Sequence, residues 1–366
     1  MTESRPGNCF HVPSREHDNP HTQLPAGDGR LSERVRSEQD RAVPTRWAND
    51  LRGIEENHAR EWYPVEMIVR DWRDADVADT QLLYAREQDF WVRELTWDAS
   101  NSWREIEQAR TTWGLPGRIA IDHKRTVRGW SYYMPDGETL HIGGIAAETK
   151  DATAALVDAC LEMSAVPPRP LRVSCFVPDR AEGFEAALVE RGFICEHYHY
   201  LSRTLTHSAN PGAATQAEGW REGDLQDAAE LLRIAYGEHG RHFAPRGTLT
   251  EWEHYARGLV ERPGCGDLEP ALTRVVRDAG NMVALVLTTR IAPGTIHLAQ
   301  VAVHPGRRRE GFARRLVDEA CRLAQPRAAR QATLLVGERN TAARKLYESM
   351  GFEPRATFIA ATKAMA

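Results

Sequence analysis

Residues 301–313 read Val-Ala-Val-His-Pro-Gly-Arg-Arg-Arg-Glu-Gly-Phe-Ala. A short apolar strand ends at Pro305 and a basic loop follows. A helix opens at Gly311, with Phe312, Leu316, Val317, Ala320 and Leu323 recurring at helical spacing. Strand, Gly-bearing loop and helix start, in that order, build an anion site. The first N–H groups of a helix lack intrahelical acceptors, so they can donate to phosphate oxygens, and the helix dipole adds to the attraction. Gly311 allows close backbone approach, Ala313 adds little bulk, and Arg307, Arg308 and Arg309 supply positive charge. The loop suits a pyrophosphate.

Around this loop the chain is ordinary in composition. It has 366 residues, 42% hydrophobic and 27% charged, with a formal net charge of −5. That length is enough for two or three domains, and that charge gives no basic field for nucleic acid. No apolar run reaches the ~18–20 residues of a membrane helix, and no signal-peptide core is present at the start. The six cysteines are scattered without a C-x-x-C pair, which points to reduced thiols in a cytoplasmic protein and to no metal. Cys9, His11, His17 and His21 match no tight ligand spacing. Residues 1–62 are polar and aperiodic and are expected to form a disordered extension, with a short helix near 31–41. Met67 opens the first strand-like run and is an alternative translation start; a native peptide beginning upstream would exclude it.

The chain repeats itself. Trp72-Arg73-Asp74-Ala75-Asp76 returns as Trp220-Arg221-Glu222-Gly223-Asp224. Leu140–Ala147 returns as Ile296–Val303, Leu156-Val157-Asp158 as Leu316-Val317-Asp318, and Gly192-Phe193 as Gly351-Phe352. Their shared order and nearly constant spacing point to a duplication. The break lies in the polar stretch 206–218, around Pro211 and Gly212. In the second half, helices are expected at 224–238, 248–261, 311–324 and 341–350. Strands are expected at 273–277, 282–290, 295–303 and 332–336, with one or two more before Ala366. The result is a mixed α/β arrangement.

On these residues the second half resembles the GNAT superfamily of N-acetyltransferases. The family's Arg/Gln-x-x-Gly-x-Gly/Ala loop stands here as Arg308-Arg309-Glu310-Gly311-Phe312-Ala313, after a Val301-x-Val303-x-Pro305 strand end. A downstream Asn340, Ala343, Tyr347, Gly351 and Phe352 follow the family's spacing. The resemblance is close over 218–366 and weaker over 66–205. It implies two tandem domains, 63–205 and 219–366, joined by 206–218. Each would be a central, mostly antiparallel sheet with a splayed fourth and fifth strand, flanked by helices.

The resemblance further implies acetyl transfer from acetyl-CoA to a primary amine of a small molecule or peptide. Backbone across Arg308–Ala313 would hold the pyrophosphate, and main chain of Val301, Ala302 and Val303 would pair with the pantetheine arm. An N–H near Val301 is the implied oxyanion donor. Tyr347 is the implied acid for the departing thiolate, since a phenol of pKa ~10 keeps its proton at neutral pH. The general base stays open among His297, His304 and Glu338. Imidazole titrates in the right range, but His141 occupies the place matching His297. Asn340 either helps hold the ligand or caps a helix. His197 and His199 share one strand face, for a cleft or for packing. A protein lysine acetyltransferase and a non-catalytic acyl-CoA-binding scaffold are the competing readings.

The first half departs from the motif. Its loop is four residues shorter, Glu148-Thr149-Lys150-Asp151 replaces the arginines, and Leu188 stands where Tyr347 stands. It is expected to be a degenerate copy that packs on the second domain, shapes the acceptor cleft and does not bind coenzyme A in the ordinary way.

Overall fold

The computed structural model describes residues 67–136, 138–164, 170–206, 216–236, 247–261 and 265–365. The expected extension at 1–62, with its helix and Cys–His group, lies outside them, as does most of the expected linker at 206–218.

The first half runs β1 (Ile68–Asp71), α1 (Val77–Leu95), α2 (Ser100–Thr112), β2 (Gly117–Ile121), β3 (Val127–Asp136) and β4 (Thr139–Ala147). It continues with α3 (Lys150–Ser164), β5 (Arg172–Pro178), α4 (Phe184–Glu190) and β6 (Ile194–Thr204). The second half runs β7 (Glu218–Gly219), α5 (Asp224–Tyr236), α6 (Leu249–Glu261), β8 (Asp267–Leu268), β9 (Arg274–Asp278) and β10 (Asn281–Ala292). It ends with β11 (Thr295–Val303), α7 (Phe312–Ala324), β12 (Gln331–Gly337), α8 (Thr341–Ser349) and β13 (Glu353–Ala364). Apart from β8, the order of strands and helices is the same twice over.

All these strands join one sheet in the order β1-β2-β3-β4-β5-β13-β6-β12-β11-β10-β9-β7, with β8 beside β10. Pairing is antiparallel except at β4–β5 and β11–β12. The halves are joined by an exchange of their last strands. β13 pairs with β5 of the first half, β6 pairs with β12 of the second, and the two lie against each other from Ile194 to Ser202. Neither half keeps its own closing strand. The outer edges are only four and two residues long, which limits pairing with other chains.

Among the described residues, four helices cover each face. Alternation along β6 sends Tyr198 and Tyr200 to one face, under α1 and α2, and Leu201 to the other, under α7. The α1–α2 core is a tryptophan stack: Trp72, Trp130 and Tyr132 lie nearly parallel with centroids 5.7–5.9 Å apart. The tryptophans of the first half are therefore mostly core residues. Among its described residues, Trp72, Trp91, Trp97, Trp103 and Trp130 are buried and Trp113 is exposed. Beneath α7 and α8 lie Phe312, Leu316, Leu334, Val336, Tyr347 and Phe352.

Two irregularities recur in both halves and set up the sites. A bulge falls at Gly143 in β4 and at Ala299 in β11, where the pairing skips a residue. The parallel pairs then part: β4 stays with β5 only as far as Ile142, and β11 with β12 only as far as His297.

Candidate active site

β11 carries the first component. Beyond His297 it has β10 on one side and no β12 on the other, so Leu298–Val303 presents a backbone edge. Such an edge takes an extended, amide-bearing ligand as an added strand. The bulge sends Val301 and Val303 to the α7 side and Ala302 to the α5–α6 side.

The loop carries the second. Pro305–Arg307 forms a single 3-10 turn whose Gly306 N–H is accepted by His304 Nδ1 at 3.2 Å, so His304 acts as a cap. The chain then passes through Arg309 at φ +71° and Gly311 at φ +80° into α7. Gly311 is the N-cap and supplies no side-chain acceptor, which leaves the first-turn amides of Phe312 and Ala313 for a ligand. A Cβ on Gly311 would fall 2.9 Å from Arg315 Nη1 and force a left-handed backbone on a substituted residue.

The arginines divide. Arg307 is tied to Glu310 at 2.8 Å and to Asp278, and it lies over the Phe312 ring. Arg308 donates to the Ala235 carbonyl at 2.7 Å, locking the loop to the end of α5. Arg314 donates to Ser349 Oγ and Arg315 to the Glu310 carbonyl. Arg309 is exposed and makes no side-chain hydrogen bond or ion pair among the described residues, so it is the cation free to meet a phosphate.

α8 carries the third component. Asn340 caps it, its Oδ1 accepting from Ala343 N at 3.2 Å. Tyr347 is 7% exposed, sits edge-on to Phe352 at 5.9 Å, and belongs to the cluster that holds Phe312 and packs Val301, Val303 and Ala343. Loop, strand edge and tyrosine thus share one side of the sheet.

His297 and Glu338 differ as bases. His297 is 3% exposed, stacked on Tyr200 at 6.0 Å and covered by Trp97 at 5.5 Å. Thr333 gives its hydroxyl proton to the Ile296 carbonyl, so His297 Nδ1–H donates to Thr333 Oγ1 at 2.9 Å and Nε2 is the bare nitrogen. Burial pushes the imidazole down to about 4. His141 Nδ1 likewise lies 2.6 Å from a hydroxyl, Ser174 Oγ. Glu338, half-exposed at the end of β12, lies 3.4 Å from His197 Nδ1, and His197 Nε2 lies 3.1 Å from Glu185. His199 is held below its usual range, first by burial and then by Arg344.

Sequence reasoning missed Gln300. Buried at the bulge, it accepts from Tyr236 Oη and donates to Tyr255 Oη, both at 2.7 Å, and so ties β11 to α5 and α6. A glutamine inside an apolar strand was the available signal. Among the described residues no group of three or more His, Cys, Asp or Glu is placed to hold a metal, and no helix is long and apolar enough to cross a membrane.

With this geometry in hand, comparison identifies the class. Residues 228–352 match the acetyltransferase (GNAT) family model. The fold matches a GCN5-related N-acetyltransferase from Sphaerobacter thermophilus at 17% identity and a TM-score of 0.59, over 81% of this chain and 95% of that one. It also matches a fungal GCN5-related glucosamine N-acetyltransferase region of a multi-domain β-N-acetylglucosaminidase at 13% identity and a TM-score of 0.55, over 82% of this chain and 38% of that one. At such identities the likeness shows a shared fold. No curated protein is similar enough to match. The second half of the chain carries a GNAT acetyltransferase domain, and the protein is an acyltransferase.

Proposed function

We propose that the chain transfers an acetyl group from acetyl-CoA to a primary amine of a small molecule or peptide. The observation that carries this reading is the parting of β11 from β12 at His297, beside an uncapped helix start at Gly311. The two features fit the two ends of one ligand. An amide-rich arm answers the Leu298–Val303 edge, and a pyrophosphate answers the amides of Gly311–Ala313 with Arg309 beside them. Acetyl-CoA, when bound, supplies the activated acyl group.

The chain's own residues supply the rest. The backbone N–H near Val301 is the oxyanion donor, and the Gln300–Tyr236–Tyr255 network keeps the bulge that aims it. Tyr347 gives its phenolic proton to the departing thiolate. Glu338 is a better base than His297. Its carboxylate is half-exposed beside His197 and can be reached by an amine, whereas the imidazole is buried beneath Trp97 and Tyr200. On this reading the first half is a degenerate copy, with 63–205 and 219–366 as the two domains.

The test is thiol release from acetyl-CoA against a panel of small amines, peptides and lysine-bearing proteins. Release with small amines or peptides supports the reading. Release with proteins alone makes the chain a protein lysine acetyltransferase. Calorimetric binding without release under any acceptor makes it an acyl-CoA-binding scaffold, and no binding at all removes the donor assignment.

A further inference from the structure

We propose that the first half holds a second ligand site, for a small zwitterion of amino-acid or dipeptide size, in the cavity that its shortened loop leaves open. In the second half Arg308 bridges the loop to the end of α5. In the first half the loop lacks four residues. A cavity of about 400 Å³ remains between α1, the ends of β3 and β4, and the β5–α4 turn, within the range of small-molecule sites.

The lining is bipolar. Arg180 reaches in from the β5–α4 turn, lies 4.8 Å over the Phe90 ring and pairs with Glu87, whose side chain is only 9% exposed. Across the cavity Glu148 is shared by Arg86 at 2.5 Å and Arg128 at 3.1 Å. Glu182 adds a carboxylate with no ion pair among the described residues. Three guanidinium and three carboxylate groups therefore line the space. A polyanion such as a pyrophosphate meets as much repulsion as attraction there. A ligand with one ammonium and one carboxylate can set its ammonium on Glu182 and its carboxylate on Arg86 or Arg180, while Leu83 and Trp130 form an apolar wall for its side chain. Burial raises Glu87 against the pull of Arg180, as is common in ligand sites. Coenzyme A is disfavoured at the same place, because the Glu182 N–H donates to the Ala147 carbonyl at 3.3 Å and closes the gap between β4 and the β5–α4 turn. The proposal is independent of the acyl-transfer reading.

Calorimetric titration of the full chain with amino acids and dipeptides, alongside their N-acetyl and amide derivatives, tests it. The expected result is saturable one-to-one binding of at least one zwitterion, weakened about tenfold when either charge is removed. Arg86→Gln and Glu182→Gln lie on exposed positions that the fold tolerates, and each should weaken binding by about the same factor. Binding that ignores both variants, equal binding of the blocked derivatives, or no binding at millimolar ligand would each overturn the proposal.

Discussion

The turn from β4 into α3 and the turn from β11 into α7 start from the same bulged, splayed strand and diverge within ten residues. The second keeps a loop long enough to swing over α5 and to enter its helix through Gly311 without a side-chain cap. The first enters α3 directly, and Thr149 Oγ1 accepts from Ala152 N at 3.2 Å. There the first-turn amides are partly used by the chain, and the edge of β4 is met by Glu182. The bulge differs as well. Gly143 and Gly144 lie against the Tyr132 ring, which leaves no room for a Cβ at either, whereas the second half places Gln300 there. On the proposed reading the shared scaffold holds a cofactor in the second half and not in the first, because the site depends on a loop length and a few side chains.

The sharpest break in that comparison comes from the two α-helices that follow the splayed strands. Tyr347→Phe should lower kcat by about 10²–10³ with little change in KM, the scale of a lost general acid. The matching Leu188→Met should leave kcat unchanged. Steady-state thiol release reads both, and full turnover by Tyr347→Phe would remove the acid role.

A second test concerns His297. Its buried imidazole is neutral in the folded chain down to about 4, while the unfolded imidazole takes up a proton below about 6.5. Stability should therefore fall as pH drops from about 6.5 to about 4, by about 3 kcal/mol, and level off below that. Urea unfolding across this range should show the loss in the parent chain and a shallower slope in His297→Gln. Equal slopes would mean that His297 is protonated in the fold.

Smaller effects separate the two glycines that open α7 and α4. Gly311→Ala, at φ +80°, should weaken coenzyme A binding about tenfold, from roughly 1–2 kcal/mol of left-handed strain. Gly183→Ala, at φ +69°, should cost similar stability and leave that binding unchanged. Smallest is Asn340→Ala, which removes a cap worth about 1 kcal/mol. Asn340→Ser should restore most of the melting temperature. If it restores stability but not coenzyme A affinity, Asn340 touches the ligand as well.

Much of the second half was legible. β11 begins and ends where the apolar run 295–303 does, and α7 begins one residue after Gly311. Local signals were strong there: a proline-ended apolar run, a glycine at positive φ, a clear helical face. The arginines were less legible. Charge type shows that Arg307, Arg308 and Arg309 are cationic, but it cannot show that Glu310 and Asp278 consume Arg307 while Arg309 stays free. Gln300 was missed because its partners, Tyr236 and Tyr255, come from two helices 45 or more residues earlier.

The repeat, the loop and the tyrosine helix follow from residue order, because periodicity, glycine placement and motif spacing are local and survive without a partner. The exchange of β6 and β13 does not. Either strand satisfies its backbone equally well beside its own half or the other, and nothing within Ile194–Thr204 or Glu353–Ala364 distinguishes the two. The burial of His297 beneath Trp97 and Tyr200, both from the other half, and the cavity behind the shortened loop arise from that assembly of distant segments.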